Sequence, residues 1–317
     1  MRKILITGCA GFIGSTLVDR LLDEGNEVVG IDNFNDYYDP KIKEKNIDDA
    51  LKNDRFKLYR EDILNFEPIS TIFSAEKPDK VVHLAARAGV RPSIVDPNLY
   101  AKVNVEGTVN ILIAATKNNV GQFIFGSSSS VYGNSPKIPF AEDDLCQNII
   151  SPYGASKRSA EFFVESFWRN FNLKSVTLRF FTVYGPRGRT DMAPAIFTKA
   201  ILSGSTINKF GYGTSSRDYT FVDDIIDGIK RALEINLDFE IINLGGNNPV
   251  TLNDFIKILE KITGKKAEIN TIEKQVGDAE RTWADTSKAK KLLGWETKTK
   301  LGEGLTKYVQ WLTKKQK

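Results

Sequence analysis

Short, nearly unbroken apolar runs rich in Val, Ile and Phe recur through the first 180 residues: "KILIT", "EVVGID", "FKLYR", "KVVHLA", "QFIFGS" and "SVTLRF". Runs that are apolar at consecutive positions, rather than at every second one, predict strands covered on both faces, the condition of a parallel sheet. Between them, apolar residues at three-to-four spacing predict helices over 12–24, 41–52, 98–118 and 153–171. This alternation predicts an α/β fold, a Rossmann-like doubly wound parallel sheet with helices on both faces. Past residue 180 the order loosens. Glycine-rich stretches ("YGPRGR", "FGYGTSSRD") separate expected helices near 192–203, 222–234, 251–263 and 301–314. The chain therefore reads as a sheet domain over 1–180 and a smaller, mixed region over 181–317, interleaved with the first around the C-terminal strand ends.

Composition narrows the classes of function. The 317 residues are 41% hydrophobic and 26% charged, as in ordinary globular proteins. A net charge of +4 without an arginine-rich tract argues against nucleic acid as a partner. No apolar run is long enough to span a membrane, and the one in "MRKILITG" breaks at Thr7-Gly8, too early for a signal peptide. Two cysteines, Cys9 and Cys146, form no disulfide framework, and a reducing cytoplasm is the expected location. With a single histidine and two distant cysteines, no metal site is expected. His83 lies inside "VVHLA" and reads as a packed strand residue rather than a base, and no G-x-S-x-G accompanies it.

The first strand runs straight into "TGCAGFIG", where Gly8, Gly11 and Gly14, with Phe12 and Ile13 between them, open the first helix. Such a turn lets backbone N–H groups approach a pyrophosphate and aims a helix N-terminus at its charge, the requirement of a dinucleotide site. Asp32 closes the second strand, where a carboxylate can accept hydrogen bonds from an adenosine ribose. Asn33, Phe34 and Asn35 follow it without a nearby cation for a 2′-phosphate, so NAD is expected over NADP. Asp62 and Ile63 in "REDI" are placed to frame the adenine, and Leu84, Ala85 and Ala86 end a strand with side chains small enough for a cofactor to lie close. "FGSSSSVYG" gathers hydroxyls at the end of the fifth strand. In "SPYGASK", Tyr153 and Lys157 stand four residues apart on one helix face, about 6 Å along the axis.

Together these motifs resemble, essentially from end to end, the extended short-chain dehydrogenase/reductases that act on nucleotide sugars. The resemblance implies Tyr153 as catalytic acid/base and Ser128 as its hydroxyl partner. It gives Lys157 two tasks, holding the nicotinamide ribose and lowering the tyrosine's pKa. A phenol near pKa 10 must fall by about three units, roughly 4 kcal/mol, to act as a base near neutrality. "GIDNFNDYYD", "HLAARAGVRPS", "SSSSVYG" and "RFFTVYGPRGRTDMA" are similar to UDP-glucuronate 4-epimerases. The 4,6-dehydratases carry an Asp-Glu pair where this chain has Ser129 and Ser130, and the neutral-sugar epimerases an asparagine where it has Thr182; a UDP-glucose or UDP-N-acetylglucosamine 4-epimerase is the alternative reading. Thr190 and Val276 depart from the prolines usual in the branch.

Beside Tyr153, we expect Thr182, Arg189 and the Ser128, Ser129 and Ser130 hydroxyls to hold the carboxylate of a uronate sugar, with a solvated loop arginine or a phosphate contact as the other reading of Arg189. By resemblance, Arg217 is implied at the diphosphate, Asp278 in the nucleotide pocket and Asn104 behind the cofactor, and Arg87 and Arg91 are candidate anion contacts. The surface reading of Arg91 and Arg87 stands beside the anion-contact one, and Tyr37 and Tyr38 read as loop packing. A homodimer through the helices over 98–118 and 153–171 is expected.

Overall fold

The computed structural model describes residues 2–273 and 279–314. The six apolar runs form β1 (Lys3–Thr7), β2 (Glu27–Ile31), β3 (Phe56–Tyr59), β4 (Lys80–His83), β5 (Gln122–Ser128) and β6 (Ser175–Phe180). Six further strands follow: β7 (Thr182–Tyr184), β8 (Thr206–Phe210), β9 (Ser216–Phe221), an unexpected β10 (Phe239–Leu244), β11 (Pro249–Thr251) and β12 (Glu268–Ile272). The large sheet is parallel throughout, in the order β10-β6-β5-β4-β1-β2-β3. The order reverses between β1 and β4, and the crevice there opens at Thr7 and His83.

The helices are α1 (Phe12–Asp23), α2 (Pro40–Ile47), α3 (Phe66–Glu76), α4 (Val90–Val95), α5 (Pro97–Ala101), α6 (Gly107–Lys117) and α7 (Pro152–Phe171). They continue with α8 (Ala193–Ser203), α9 (Val222–Glu234), α10 (Leu252–Thr263), α11 (Ser287–Leu293) and α12 (Leu301–Lys314). Alternate strand residues feed two cores. Ile4 and Ile6 pack with Leu17, Val18 and Leu21 of α1 and Ile225 and Ile229 of α9. Leu5 and Val81 face Phe73 of α3, Ile111 and Leu112 of α6 and Ala160 and Val164 of α7.

The structure differs from the sequence expectations at three places. β10 comes from beyond residue 180 yet completes the large sheet beside β6, so a cut at 180 would split that sheet. Its apolar run "FEIINL" is interrupted by Glu240 and Asn243, which hid it. The segment 98–118 is not one regular helix, because a π-helical turn at Lys102–Glu106 separates α5 from α6. The stretch 41–52 closes early, with α2 followed by a separate 3-10 turn at Ala50–Lys52. The C-terminal part packs back on the body: Trp295 is fully buried and donates through Nε1 to the Asp224 carbonyl at 2.8 Å.

Candidate active site

A cleft of about 870 Å³ runs along the strand ends, from the β1–α1 turn to β7, α8 and β9. Its first half has the form of a dinucleotide cradle. Gly8 has φ +71°, and a Cβ there would stand 2.8 Å from the Ala85 backbone nitrogen, so the turn closes on β4 only with glycine. The N-terminus of α1 has neither a side-chain cap nor an acidic residue in its first turn, which leaves its N–H groups open to an anion. Asp32 is 7% exposed and accepts from the N–H of Ala10 (3.1 Å) and of Phe34 (2.9 Å). Asp62 accepts from Asn33 Nδ2 at 2.7 Å, tying the two acidic loops together. Gly11, Phe12, Ile13, Gly14, Ile63, Leu84, Ala85 and Ala86 line the same cleft.

Asn104 does not face the cleft. It is 1% exposed in the π-helical turn, accepts from the Arg87 N–H (2.7 Å), and donates to the Arg87 carbonyl (2.9 Å) and Ser156 Oγ (2.9 Å). Its amide is used in pinning the β4 loop to α7, so it props the wall from behind. The sequence reading also missed a cation. Lys43, 5% exposed on α2, reaches Asp32 Oδ1 at 3.6 Å and lies under the Tyr38 ring. Burial pulls its pKa down against the pull of Asp32. The premise that no cation stands near Asp32 held along the chain but not in space.

Hydroxyls and the phenol meet at the far end. Ser151 caps α7, its Oγ accepting the Gly154 N–H at 3.1 Å, and Pro152 starts the first turn, which aims Tyr153 at the end of β5. Burial raises the Tyr153 pKa, while a hydrogen bond with Ser128 and the charge of Arg189 pull it the other way. Lys157, 3% exposed, donates to the Gly126 carbonyl at 2.8 Å and sits 4.9 Å over the Phe125 ring. Burial lowers its pKa to about 8. Arg189 is thus a cation acting on Tyr153 that the sequence reading had not counted.

A buried ion network backs this wall. Glu161, one helical turn past Lys157, takes a two-point grip from Arg179 (3.0 and 2.9 Å), the Ser127 hydroxyl (2.5 Å) and Arg158 (2.7 Å).

Ser128, Ser129, Ser130, Thr182, Arg87, Arg189 and Arg217 all line the cleft. Asp278 and Val276 lie outside the described residues. Tyr37 and Tyr38, read as loop packing, line it too, and Tyr37 touches Arg189 (Nη2 to Oη, 3.1 Å). Arg91 stacks on Phe210 across the cleft mouth at 4.4 Å. Asp218, also missed, is fully buried behind Arg217 and accepts backbone N–H groups of Ala284 (2.8 Å) and Asn247 (3.1 Å), which joins β9 to two loops. His83 lies beneath the crevice, 1% exposed, hydrogen-bonded to Thr7 Oγ1 (2.6 Å) and Thr108 Oγ1 (2.9 Å), and burial lowers its pKa to about 3. It is a packed strand residue. Among the described residues no cluster of three His, Cys, Asp or Glu side chains could hold a metal, and no helix is long and apolar enough to cross a membrane.

A dinucleotide cradle on a doubly wound parallel sheet, with Ser128 at the end of β5 and Tyr153 and Lys157 of α7 lining the same cleft, defines a short-chain dehydrogenase/reductase. The chain belongs to the extended branch of that family, the nucleotide-sugar epimerases and dehydratases. The family model described as GDP-mannose 4,6 dehydratase matches residues 5–308. A UDP-glucuronate 4-epimerase of Thermodesulfobacterium geofontis is 44% identical over 313 residues, covering 98% of this chain and 96% of the relative. Among solved structures, the UDP-glucuronic acid 4-epimerase of Bacillus cereus in complex with UDP-glucuronic acid and NAD superposes with a TM-score of 0.93 at 40% identity, over 98% of this chain and 99% of that one. A UDP-glucose 4-epimerase of Thermotoga maritima reaches the same TM-score at 36% identity, over 99% and 100%.

Proposed function

We propose that this chain, an NAD-dependent UDP-sugar 4-epimerase and therefore an isomerase, interconverts UDP-glucuronate and UDP-galacturonate. One observation carries the choice of sugar: a cleft wall with the uncharged donors Ser128, Ser129, Ser130 and Thr182 holds Arg189 as well, and has no carboxylate at 129 or 130. A planar carboxylate suits an arginine among hydroxyl donors. The dehydratase named by the family model needs an acid–base pair for loss of water, and two serines cannot supply one.

NAD, when bound along Gly8–Gly14, Asp32 and Asp62, supplies the acceptor that takes the hydride of C4 and gives it back on the other face. The protein does the rest. Tyr153 removes the proton of the 4-hydroxyl and later returns one, with Ser128 holding the same oxygen and Lys157 a neighbouring positive charge. The sugar turns over as its 4-ketone between the two half-reactions. In a uronate that ketone is β to the carboxylate, so loss of CO₂ is chemically easy. Arg189 and the hydroxyl row hold the carboxylate against the alignment that C–C cleavage needs. Arg217 and Arg87 serve the diphosphate.

Two unpaired buried thiols fit a reducing cytoplasm. The exposed Phe162, Phe163 and Phe171 of α7, with Ile94 and Val95 of α4, favour a homodimer through that face. Light scattering would read its mass.

Purified protein incubated with UDP-glucuronate and no added NAD tests the reading. The expected outcome is UDP-galacturonate without CO₂ or a pentose product. Inertness toward UDP-glucuronate, with turnover of UDP-glucose or UDP-N-acetylglucosamine, would overturn the assignment of the sugar.

A further inference from the structure

Arg189 does not stand alone in the cleft. Its Nε donates to Asp191 Oδ1 at 3.0 Å, and its Nη2 donates to Asp191 Oδ2 at 2.6 Å and to Tyr37 Oη at 3.1 Å. Tyr37 Oη in turn donates to Asp191 Oδ2 at 3.2 Å, closing a ring of three side chains. The Tyr37 ring also lies beneath two guanidinium groups, 5.3 Å from Arg189 and 5.8 Å from Arg87. Gly89 makes the meeting possible: at φ +103° it points no side chain at the ring of three, whereas a Cβ would stand 2.7 Å from Tyr37 Oη and 3.4 Å from Arg189 Nη2.

A guanidinium has five N–H donors in a fixed fork. Three are taken on the Asp191 and Tyr37 side. The two on Nη1 have no protein acceptor among the described residues, and the Arg189 side chain keeps 19% exposure at the cleft. Tyr37 comes from the β2–α2 loop, the same loop that carries Asp32 and Asn33. The orientation of Arg189 is therefore set from the cofactor side of the cleft.

We infer that Tyr37 and Asp191 are positioning residues that lock three N–H groups of Arg189 and present its Nη1 edge to the carboxylate of the sugar. The inference rests on the uronate reading of the cleft and names what makes that subsite rigid. A free arginine would lose side-chain freedom on meeting the carboxylate, whereas one already held loses little. The pair has a second effect. The charge of Arg189 pulls the pKa of Tyr153 down, and Asp191 supplies the opposite charge beside it. Around these groups stand Ser128 and Tyr100 at Tyr153, Tyr38 and Tyr100 near Arg189, Arg87 at Tyr37, and Lys157 one turn along α7. Removal of the Asp191 charge leaves that of Arg189 uncompensated and stabilises the Tyr153 phenolate. The acid limb of the rate profile then moves to lower pH.

The test compares Tyr37→Phe, Asp191→Asn and Arg189→Ala with wild type, by kcat/KM for UDP-glucuronate, inhibition by UDP, NAD content, thermal midpoint and the pH profile. Asp191→Asn is expected to lose about tenfold and Tyr37→Phe about threefold in kcat/KM, with UDP inhibition and NAD content at wild-type values. The acid limb of Asp191→Asn should fall by on the order of half a unit, and that of Tyr37→Phe should stay in place. If Arg189→Ala cripples uronate turnover while the other two match wild type, or lose UDP affinity in equal measure, the positioning role is overturned. If Arg189→Ala leaves the uronate untouched, the reading of the sugar fails instead. The acid limb of Asp191→Asn, measured then with whichever UDP-sugar turns over, still decides the inference: an unmoved limb overturns it.

Discussion

His83 offers a perturbation whose size follows from burial alone. It is the only histidine in the chain, 1% exposed, with both ring nitrogens engaged by Thr7 and Thr108. Burial depresses its pKa from 6.5 to about 3. A base depressed in the folded state contributes stability that is complete above the unfolded pKa and is lost as pH falls from 6.5 toward the folded value. At pH 5 the unfolded chain has gained a proton and the folded one has not. Over 1.5 units at 1.36 kcal/mol each, the expected loss is about 2 kcal/mol. The figure barely depends on the folded pKa, so long as that lies well below 5. His83→Asn cannot titrate, and giving up one buried hydrogen bond should cost it about 1–2 kcal/mol at pH 8. Urea unfolding of both proteins between pH 8 and 4.5 should therefore give curves that converge below pH 6.5 and cross between about pH 5.8 and 5. The single imidazole resonance should stay at its neutral position down to pH 5. A gap between the two proteins that is constant across the range, or an imidazole that titrates near 6.5, would refute the reasoning.

Lys157, lowered to about 8 by burial, is charged below that pH and neutral above it. Turnover that needs its ammonium should fall through an alkaline limb near pH 8, and Lys157→Arg should abolish that limb while slowing the reaction at neutrality; a limb left in place assigns it to another group. Glu161→Gln leaves the fully buried Arg179 without its carboxylate. It should destabilise the protein by about 3–5 kcal/mol in urea unfolding, and a loss under 1 kcal/mol would mean that Arg158 and Arg179 find other partners.

The parts of the site legible in the sequence are those whose chemistry is local. The Gly8–Gly14 turn, the Tyr153–Lys157 spacing and the serine row each sit within one strand-to-helix junction, so spacing along the chain is spacing in space. What sequence reading missed is made by separate elements folding onto one another. Lys43 reaches Asp32 only because α2 folds back over the β2 end, and Tyr37 reaches Arg189 across 152 positions. Asp218 reads as one more acidic residue until the two loops that donate to it are in place. β10 was missed for a related reason: its strand identity comes from the β6 edge it covers, while its own sequence is broken by polar residues that find partners elsewhere in the fold. Asn243, for one, accepts from the Tyr132 hydroxyl at 2.7 Å and donates to the Phe140 carbonyl at 2.9 Å.

The same distinction bears on how Tyr153 becomes a base. A local reading assigns the activation to Lys157, four residues on. In the folded chain the Lys157 ammonium donates to the Gly126 carbonyl, and a second cation, Arg189 from the loop after β7, also pulls on the phenol. Arg189 in turn is held by Asp191 and by Tyr37 of the cofactor loop. Burial alone drives Tyr153 away from the ionised form, and about three units of lowering are needed for work near neutrality. Lys157 donates to the end of β5 and is charged only below about pH 8, whereas Arg189 stays charged at every working pH and lines the same cleft. A bound uronate would then withdraw part of the charge of Arg189 from Tyr153, so the groups that orient the substrate also set the strength of the base. Arg189→Lys would separate the two roles, because it keeps a charge but not the fork. Turnover of neutral UDP-sugars should survive that change better than turnover of UDP-glucuronate, and equal losses on both would mean that Arg189 serves the base alone.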